Sequence, residues 1–314
     1  MLHQLAQELR LYASESELRC KYVLENLLPD LQHQYILGEE VVTFYSASHL
    51  VVFDIVSYHH DHPDAYWITW KREQAIKNQN LRYIRLEEKD IIDEATILNT
   101  IQEQLFKALK IKVCGMRDAE NITAIALLNP DYLGFIFYEK SKRNVGEEVQ
   151  IPVLEGTIKK VGVFVDADFE VIKSKIEHYQ LKAVQLHGNE TVDFCEQIKA
   201  QNVEVIKVFS VDESFDFEII KHYSEVADYY LFDTKGKEHG GNGVKFNWEI
   251  LEKYNGEKPL FLSGGISNED LDEIKKLPLL KLNLFALDVN SKYEIVPALK
   301  DVDLVKELMN FIKK

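Results

Sequence analysis

Three apolar runs in the second two-thirds of this chain end in groups that can move protons. They close as Lys112, Val113, Cys114, Gly115; as Gln185, Leu186, His187, Gly188; and as Leu231, Phe232, Asp233, Thr234. A thiolate takes a proton and a carboxylic acid gives one, so Cys114 and Asp233 on one rim would form a base and acid pair. Three turns carry glycine or small polar residues to the same kind of position: Gly240, Gly241, Asn242, Gly243; then Ser263, Gly264, Gly265; then Asp288, Val289, Asn290, Ser291. Such turns offer backbone N–H groups to a phosphate. Plainer readings stand beside each. Cys114 could be a small buried hydrophobe, Asp233 a turn former bonded to its own backbone, His187 a satisfied core histidine and Arg143 ordinary surface charge. Cys195, in a helical stretch, reads as a structural thiol.

The elements that must hold these groups repeat one pattern from residue 110 onward. Strands read as IKVCGM (111–116), YLGFIFY (132–138), KKVGVFV (159–165), AVQLHG (183–188), VEVIKVFS (203–210), DYYLFDT (228–234), PLFLSGG (259–265) and KLNLFALDV (281–289). Between them lie helical stretches such as AENITAIALL, FEVIKSKIEHY, TVDFCEQIKAQ, FNWEILEKY and NEDLDEIKKL, with Asp118, Thr191, Asn247 and Asn268 as caps. Alternating strands and helices imply a parallel sheet, and eight such units imply an α/β (β/α)8 TIM barrel over residues 110–314. In such a barrel the site lies at the C-terminal strand ends, where all three reactive groups fall; the turns after strands seven and eight are its usual phosphate grip.

Residues 1–109 follow a different grammar. A helix from residue 2 to about 28 leads into QYILGEEVVTFYSASHLVVFDIVSY, a hairpin or meander. A helix near 70–78, a strand LRYIRL (81–86) and a helix over 94–109 follow. This is an α+β domain, joined to the barrel through EQLFKALKIKVCGM with no Gly, Ser or Pro linker.

Bulk composition narrows the function classes. At 314 residues the chain suits two domains, and a net charge of −15 argues against nucleic-acid or anionic-membrane partners. A small anionic substrate remains compatible with that charge. Three widely spaced cysteines without a C-x-x-C pair argue against a disulfide framework or structural zinc. No run approaches the ~20 apolar residues of a membrane span, and the amphipathic N-terminus is no signal peptide. A soluble cytoplasmic protein is the expectation; its oligomeric state is not written in the composition.

KVCGM, GFIFYEKSKRNV, KKVGVFVD, VQLHGNE, LFDTKGKEHGGNGVKFNW, LFLSGGISNED and ALDVNSKYE, in this order, closely resemble the strand-end motifs of phosphoribosylanthranilate isomerases across residues 110–314. The resemblance implies an Amadori rearrangement in tryptophan biosynthesis. It makes Cys114 the base that removes the C2 proton and Asp233 the acid that protonates the ring oxygen. It places Arg143 near the anthranilate moiety, has Gln185 and His187 line the pocket, and has Gly241, Gly243, Gly264, Gly265, Asp288 and Ser291 contact the phosphosugar. No metal or other cofactor is implied. The thiol is expected to be depressed by a positive phosphate site, and the carboxyl to be raised by burial. The chain departs from the family's usual pattern at Asn242 for Thr, at Lys292 for Gly, and at Ala298 for Gly. Lys292 removes permissive turn geometry and so bears on the phosphate grip.

The first domain resembles, more distantly, very-short-patch-repair endonucleases and their restriction-endonuclease-like fold. Ser14, Glu17, Arg72, Arg85 and Leu86 fit that frame. Thr43, Phe53 and Ile55 stand where the nuclease carboxylates would be, with Asp54 out of phase, so Mg²⁺-dependent cleavage is not expected. His59, His60, Asp61, His62 and Asp64 read as solvated loop residues rather than a substitute metal site. An alternative function follows from this half alone: a nucleic-acid-binding protein that carries the barrel as a non-catalytic scaffold.

Overall fold

The computed structural model describes residues 2–11, 13–56, 63–146, 149–154, 156–234 and 247–313. The chain divides into two compact units, one of residues 1–108 with 278–281 and one of 109–277 with 282–314.

In the first unit the expected long helix is two: α1 (Leu2–Leu11) and α2 (Glu15–Glu25). The break has a local cause. The Ser14 hydroxyl accepts from Glu17 N while the Glu17 carboxylate accepts from Ser14 N, a capping box that starts a new helix. The strands β1 (Gln32–Leu37), β2 (Glu40–Ser46) and β3 (Val51–Val56) form an antiparallel meander. Helix α3 (Pro63–Lys77) then carries the chain to β4 (Arg82–Glu87), which pairs parallel to β3. Helix α4 (Glu94–Lys107) closes the unit, its N-terminus capped by Asp93. The β2–β3 ladder stops at Phe44 and Phe53, where Asp54 takes over. Its carboxylate accepts from Thr43 N at 3.0 Å and from Arg72 Nη2 at 3.0 Å. A buried carboxylate needs such partners, and Thr43 Oγ1 adds another at 3.4 Å.

The second unit is a closed parallel barrel. Its strands are β5 (Lys110–Val113), β6 (Tyr132–Ile136), β7 (Lys159–Phe164), β8 (Ala183–Leu186), β9 (Glu204–Val211), β10 (Tyr229–Thr234), β11 (Leu260–Leu262) and β12 (Leu284–Val289), matching the eight sequence runs. The covering layer is less regular than expected. Helices α5 (Ala119–Ala126), α6 (Phe169–Tyr179), α7 (Val192–Lys199) and α9 (Val302–Lys313) are full turns of α-helix. Residues 219–223 and 248–253 are 3-10 turns, and α8 (Leu271–Ile274) is one α-turn after a 3-10 turn at 268–270. Asp118, Thr191 and Asn247 cap as expected. Asn268 does not: Ser267 occupies the cap and Asp270 completes its box. A short hairpin, β13 (Glu294–Val296) and β14 (Leu299–Lys300), precedes α9. Deep in the barrel, Tyr229 stacks on Phe285 at 5.1 Å and meets Phe261 edge-on at 5.3 Å, with Tyr132 on Phe261 at 5.4 Å. These rings fill the strands toward their N-terminal ends and leave the polar groups to the other rim.

Candidate active site in the barrel

Strand alternation sorts the reactive groups onto the barrel's interior face. Lys112 of β5 sits opposite Asp288 of β12 in register, so the two share a face, and Cys114 two residues on joins them. Lys112 Nζ lies 2.8 Å from Asp288 Oδ1, with both side chains almost wholly buried. Asp288 Oδ2 accepts from Ser263 Oγ of the turn after β11, at 3.4 Å. Across the mouth, His187 Nε2 lies 3.4 Å from Asp233 Oδ2, and Gln185 Nε2 lies 3.3 Å from His187 Nδ1. Gln185 Nε2 can only donate, so Nδ1 is the acceptor and the other ring nitrogen faces the Asp233 carboxyl. Gln185 Oε1 is buried and has no hydrogen-bond partner among the described residues. An acceptor left open in a polar barrel mouth is a place for a ligand's donor.

Asp233 also makes the local bond that the plain reading anticipates, accepting from Thr234 N at 2.9 Å through Oδ1. That fixes one oxygen and turns the other to His187. Gly264, at φ +95, lets the strand-seven turn close over this point; a Cβ there would stand 2.3 Å from Thr234 Oγ1. Gly265 also takes positive φ, and Ser291 heads a 3-10 turn after β12. Gly241, Asn242 and Gly243 lie outside the described residues, as do His59, His60, Asp61, His62 and the Asp64 side chain.

Arg143 is no loose surface charge. It forks onto Glu294 of β13, with Nε at 2.9 Å and Nη2 at 2.8 Å from the carboxylate. Lys300 of β14 reaches the same carboxylate at 2.6 Å and Asn290 Oδ1 at 2.7 Å. Gly115 (φ +76) packs beneath this group, since a Cβ there would meet Asn290 Oδ1 at 2.7 Å and the Arg143 chain at 2.8 Å. Behind the His187 turn, Glu190 accepts from Gly188 N and Asp166 N and pairs with Lys207 at 2.9 Å, the two charged side chains both buried.

Sequence reasoning missed Lys112, Glu294, Lys300 and Gly134. Gly134 of β6 leaves room for the thiol, for a Cβ there would be 2.8 Å from Cys114 Sγ. The expected depression of the thiol is also corrected. Burial pushes Cys114 above its usual range, and the charges of Lys112 and Lys300 only partly oppose this. Burial likewise raises Asp288 against the pull of Lys112, and it brings Lys300 down to about 8 despite Glu294. Lys292, the departure read as a loss of turn geometry, sits in a 3-10 turn without positive φ; Ala298 is the residue held at φ +70.

The barrel resembles known proteins. The model of the N-(5'phosphoribosyl)anthranilate (PRA) isomerase family matches residues 111–311. An N-(5'-phosphoribosyl)anthranilate isomerase of Parabacteroides distasonis is 42% identical over 209 residues, spanning 65% of this chain and 92% of that one. The phosphoribosyl anthranilate isomerase structure from Thermotoga maritima superposes with a TM-score of 0.56 at 32% identity, covering 65% of this chain and 98% of its own. Another isomerase structure, holding reduced 1-(O-carboxyphenylamino)-1-deoxyribulose 5-phosphate, matches at TM-score 0.54 and 32% identity, over 65% of this chain and 98% of its own. Through its barrel, this chain belongs to the N-(5'-phosphoribosyl)anthranilate isomerase family.

Proposed function

We propose that the barrel isomerises N-(5'-phosphoribosyl)anthranilate to 1-(2-carboxyphenylamino)-1-deoxyribulose 5-phosphate, a step of tryptophan biosynthesis. The observation that carries this reading is the convergence of Cys114, Asp233, His187 and Gln185 on one interior rim of a barrel that belongs to this family. In the reaction, Asp233 gives a proton to the ring oxygen as the ring C1–O bond breaks and the anilino nitrogen lone pair forms a C1=N bond. That bond then takes up the electrons released when C2 loses its proton. The Cys114 thiolate then takes the C2 proton, and the resulting enol relaxes to the ketone. His187 holds the Asp233 carboxyl toward the substrate, and Gln185 Oε1 accepts a substrate donor. The turns at Ser263, Gly264 and Gly265 and at Asp288 and Ser291 face the phosphosugar, with Gly241 and Gly243 assigned to the same task from sequence. Arg143, presented by Glu294, meets the anthranilate carboxylate. Steady-state assay of Cys114→Ser and Asp233→Asn tests the roles. Each variant is expected to lose about 10²–10⁴-fold in kcat with its fold intact, and near-wild-type rates for both would refute the assignment.

For the first unit we infer a restriction-endonuclease-like frame without nuclease chemistry. The order helix, three-strand meander, helix, parallel strand supports the frame. The commitment of Asp54 to Thr43 and Arg72 supports the loss of cleavage. Full-length protein incubated with duplex DNA and Mg²⁺ is expected to leave the DNA intact, and nicking would overturn the reading.

A further inference from the structure

The thiol of Cys114 lies beside a buried pair of opposite charges to which the proton transfers above assign no part. Lys112 and Cys114 share the interior face of β5, and Lys112 Nζ is 2.8 Å from Asp288 Oδ1. Cys114 follows Lys112 by two residues on that face, so the two side chains project side by side into the barrel. Burying an ion pair costs several kcal/mol per ion and is often no more stabilising than an apolar pair of the same volume. A lysine in the barrel's interior is therefore a poor choice for stability alone, and its position against the sulfur gives it another use.

We propose that Lys112 and Asp288 form a charge couple that sets the ionisation of Cys114. The ammonium stabilises the sulfur as thiolate, and the carboxylate limits how far it does so. One cation then faces two candidate anions. While Asp288 holds Lys112, the thiol keeps its proton; where the carboxylate's claim on Lys112 weakens, the sulfur becomes the ammonium's partner. This rests on the isomerase reading, in which Cys114 is the base. The step is a proton transfer only: the S–H bond breaks to solvent before turnover, and a new S–H bond forms as the substrate C–H bond breaks.

Other charges bear on the sulfur from the elements packed around it. Lys300 of β14 acts directly; Glu294 holds Lys300 in its charged form, and the like charge of Arg143 opposes it. Asp233 of β10 and His187 after β8 act through Asp288. Removing Lys112 and removing Asp288 must then move the thiol in opposite directions, which loss of packing cannot do.

The experiment is a difference titration of thiolate ultraviolet absorbance, each full-length variant against the same variant carrying Cys114→Ser. Lys112→Met is expected to move the Cys114 midpoint up by about one pH unit or more, a tenfold fall in thiolate at a given pH, and Asp288→Asn to move it down by a similar amount. The double variant, which strands no lone charge, falls between them. Midpoints that stay put, or that move the same way in both single variants, overturn the proposal. Should Lys112→Met fail to fold, Asp288→Asn decides alone: a lower midpoint supports the couple, and an unmoved or higher one refutes it. The isomerase rate of Cys114→Ser separates the two readings. An active Cys114→Ser removes the thiol as base, while the titration still reports whether Lys112 and Asp288 govern the sulfur.

Discussion

Gly134→Ala tests how tightly the barrel is built around its thiol. The added Cβ would stand 2.8 Å from Cys114 Sγ, 3.1 Å from Cys114 Cα and 3.3 Å from Cys114 Cβ. Neither side can retreat easily. Cys114 N donates to Val289 O at 2.9 Å, and Met116 N donates to Gly134 O at 3.0 Å, so both backbones are pinned. The thiol must rotate or the strands must part, and overpacking of this kind costs about 1–3 kcal/mol. For a unit of this size each kcal/mol is about 2–4 °C in Tm, so the melt should fall by about 2–12 °C. A displacement of the base by about 1 Å also costs about 10²-fold in rate. Calorimetry and steady-state kinetics read the two effects, and a cycle with Cys114→Ala assigns them. With the sulfur gone, the alanine at 134 should recover about 1 kcal/mol or more. An equal penalty in both backgrounds, or full activity in Gly134→Ala, would refute the argument that the glycine exists to seat the thiol.

Glu294→Gln leaves Arg143 and Lys300 without their common anion, whose side chain is only 4% exposed. Breaking a buried pair in this way should cost about 3–5 kcal/mol. Urea unfolding measures it, and a loss below about 1 kcal/mol would show that charge at 294 is dispensable. Acid should weaken the first unit through His49. Burial, helped by Arg82, brings this imidazole from 6.5 to about 4. Between those values the unfolded chain binds a proton that the folded chain refuses, so stability is lost as pH falls from 6.5 toward 4, by about 1 kcal/mol per unit. Urea midpoints at pH 7 and pH 5 should differ in the parent chain and converge in His49→Leu.

The barrel strands were legible because each is a short apolar run ended by a polar or glycine turn, and that pattern has few other uses. The covering layer was less so. FNWEILEKY and NEDLDEIKKL carry helical spacing, yet 248–253 and 268–270 tighten into 3-10 turns. At such short connections the barrel, not local propensity, decides how the chain winds. Cys114 and Asp233 could be read because a reactive group at a strand end is conspicuous. Lys112 could not, since a lysine in a strand normally points to water. Only its two-residue offset from Cys114 signals that both face inward. Gly134 reads as a weak strand residue until the sulfur opposite is seen. In the first unit, Ser14 and Glu17 already spelled the capping box that splits the expected helix.

The turn after β12 shows how a departure from family pattern can be real and yet misplaced. Lys292 stands where a glycine is usual, but its 3-10 geometry asks nothing that a lysine lacks. The demand falls six residues later, where Ala298 turns the β13–β14 hairpin at φ +70. An L-residue held there costs about 1–2 kcal/mol. The hairpin sustains that strain through groups that belong to the site. Ala298 is buried and its N–H donates to Glu294 Oε1 at 3.1 Å. Glu294 in turn pairs with Lys300 directly across the hairpin and with Arg143 from the loop after β6. The carboxylate that holds the turn closed is therefore the one that aims Arg143 and anchors the lysine beside the thiol. Backbone strain and site electrostatics share one residue, so a change at Glu294 cannot loosen the first without disturbing the second.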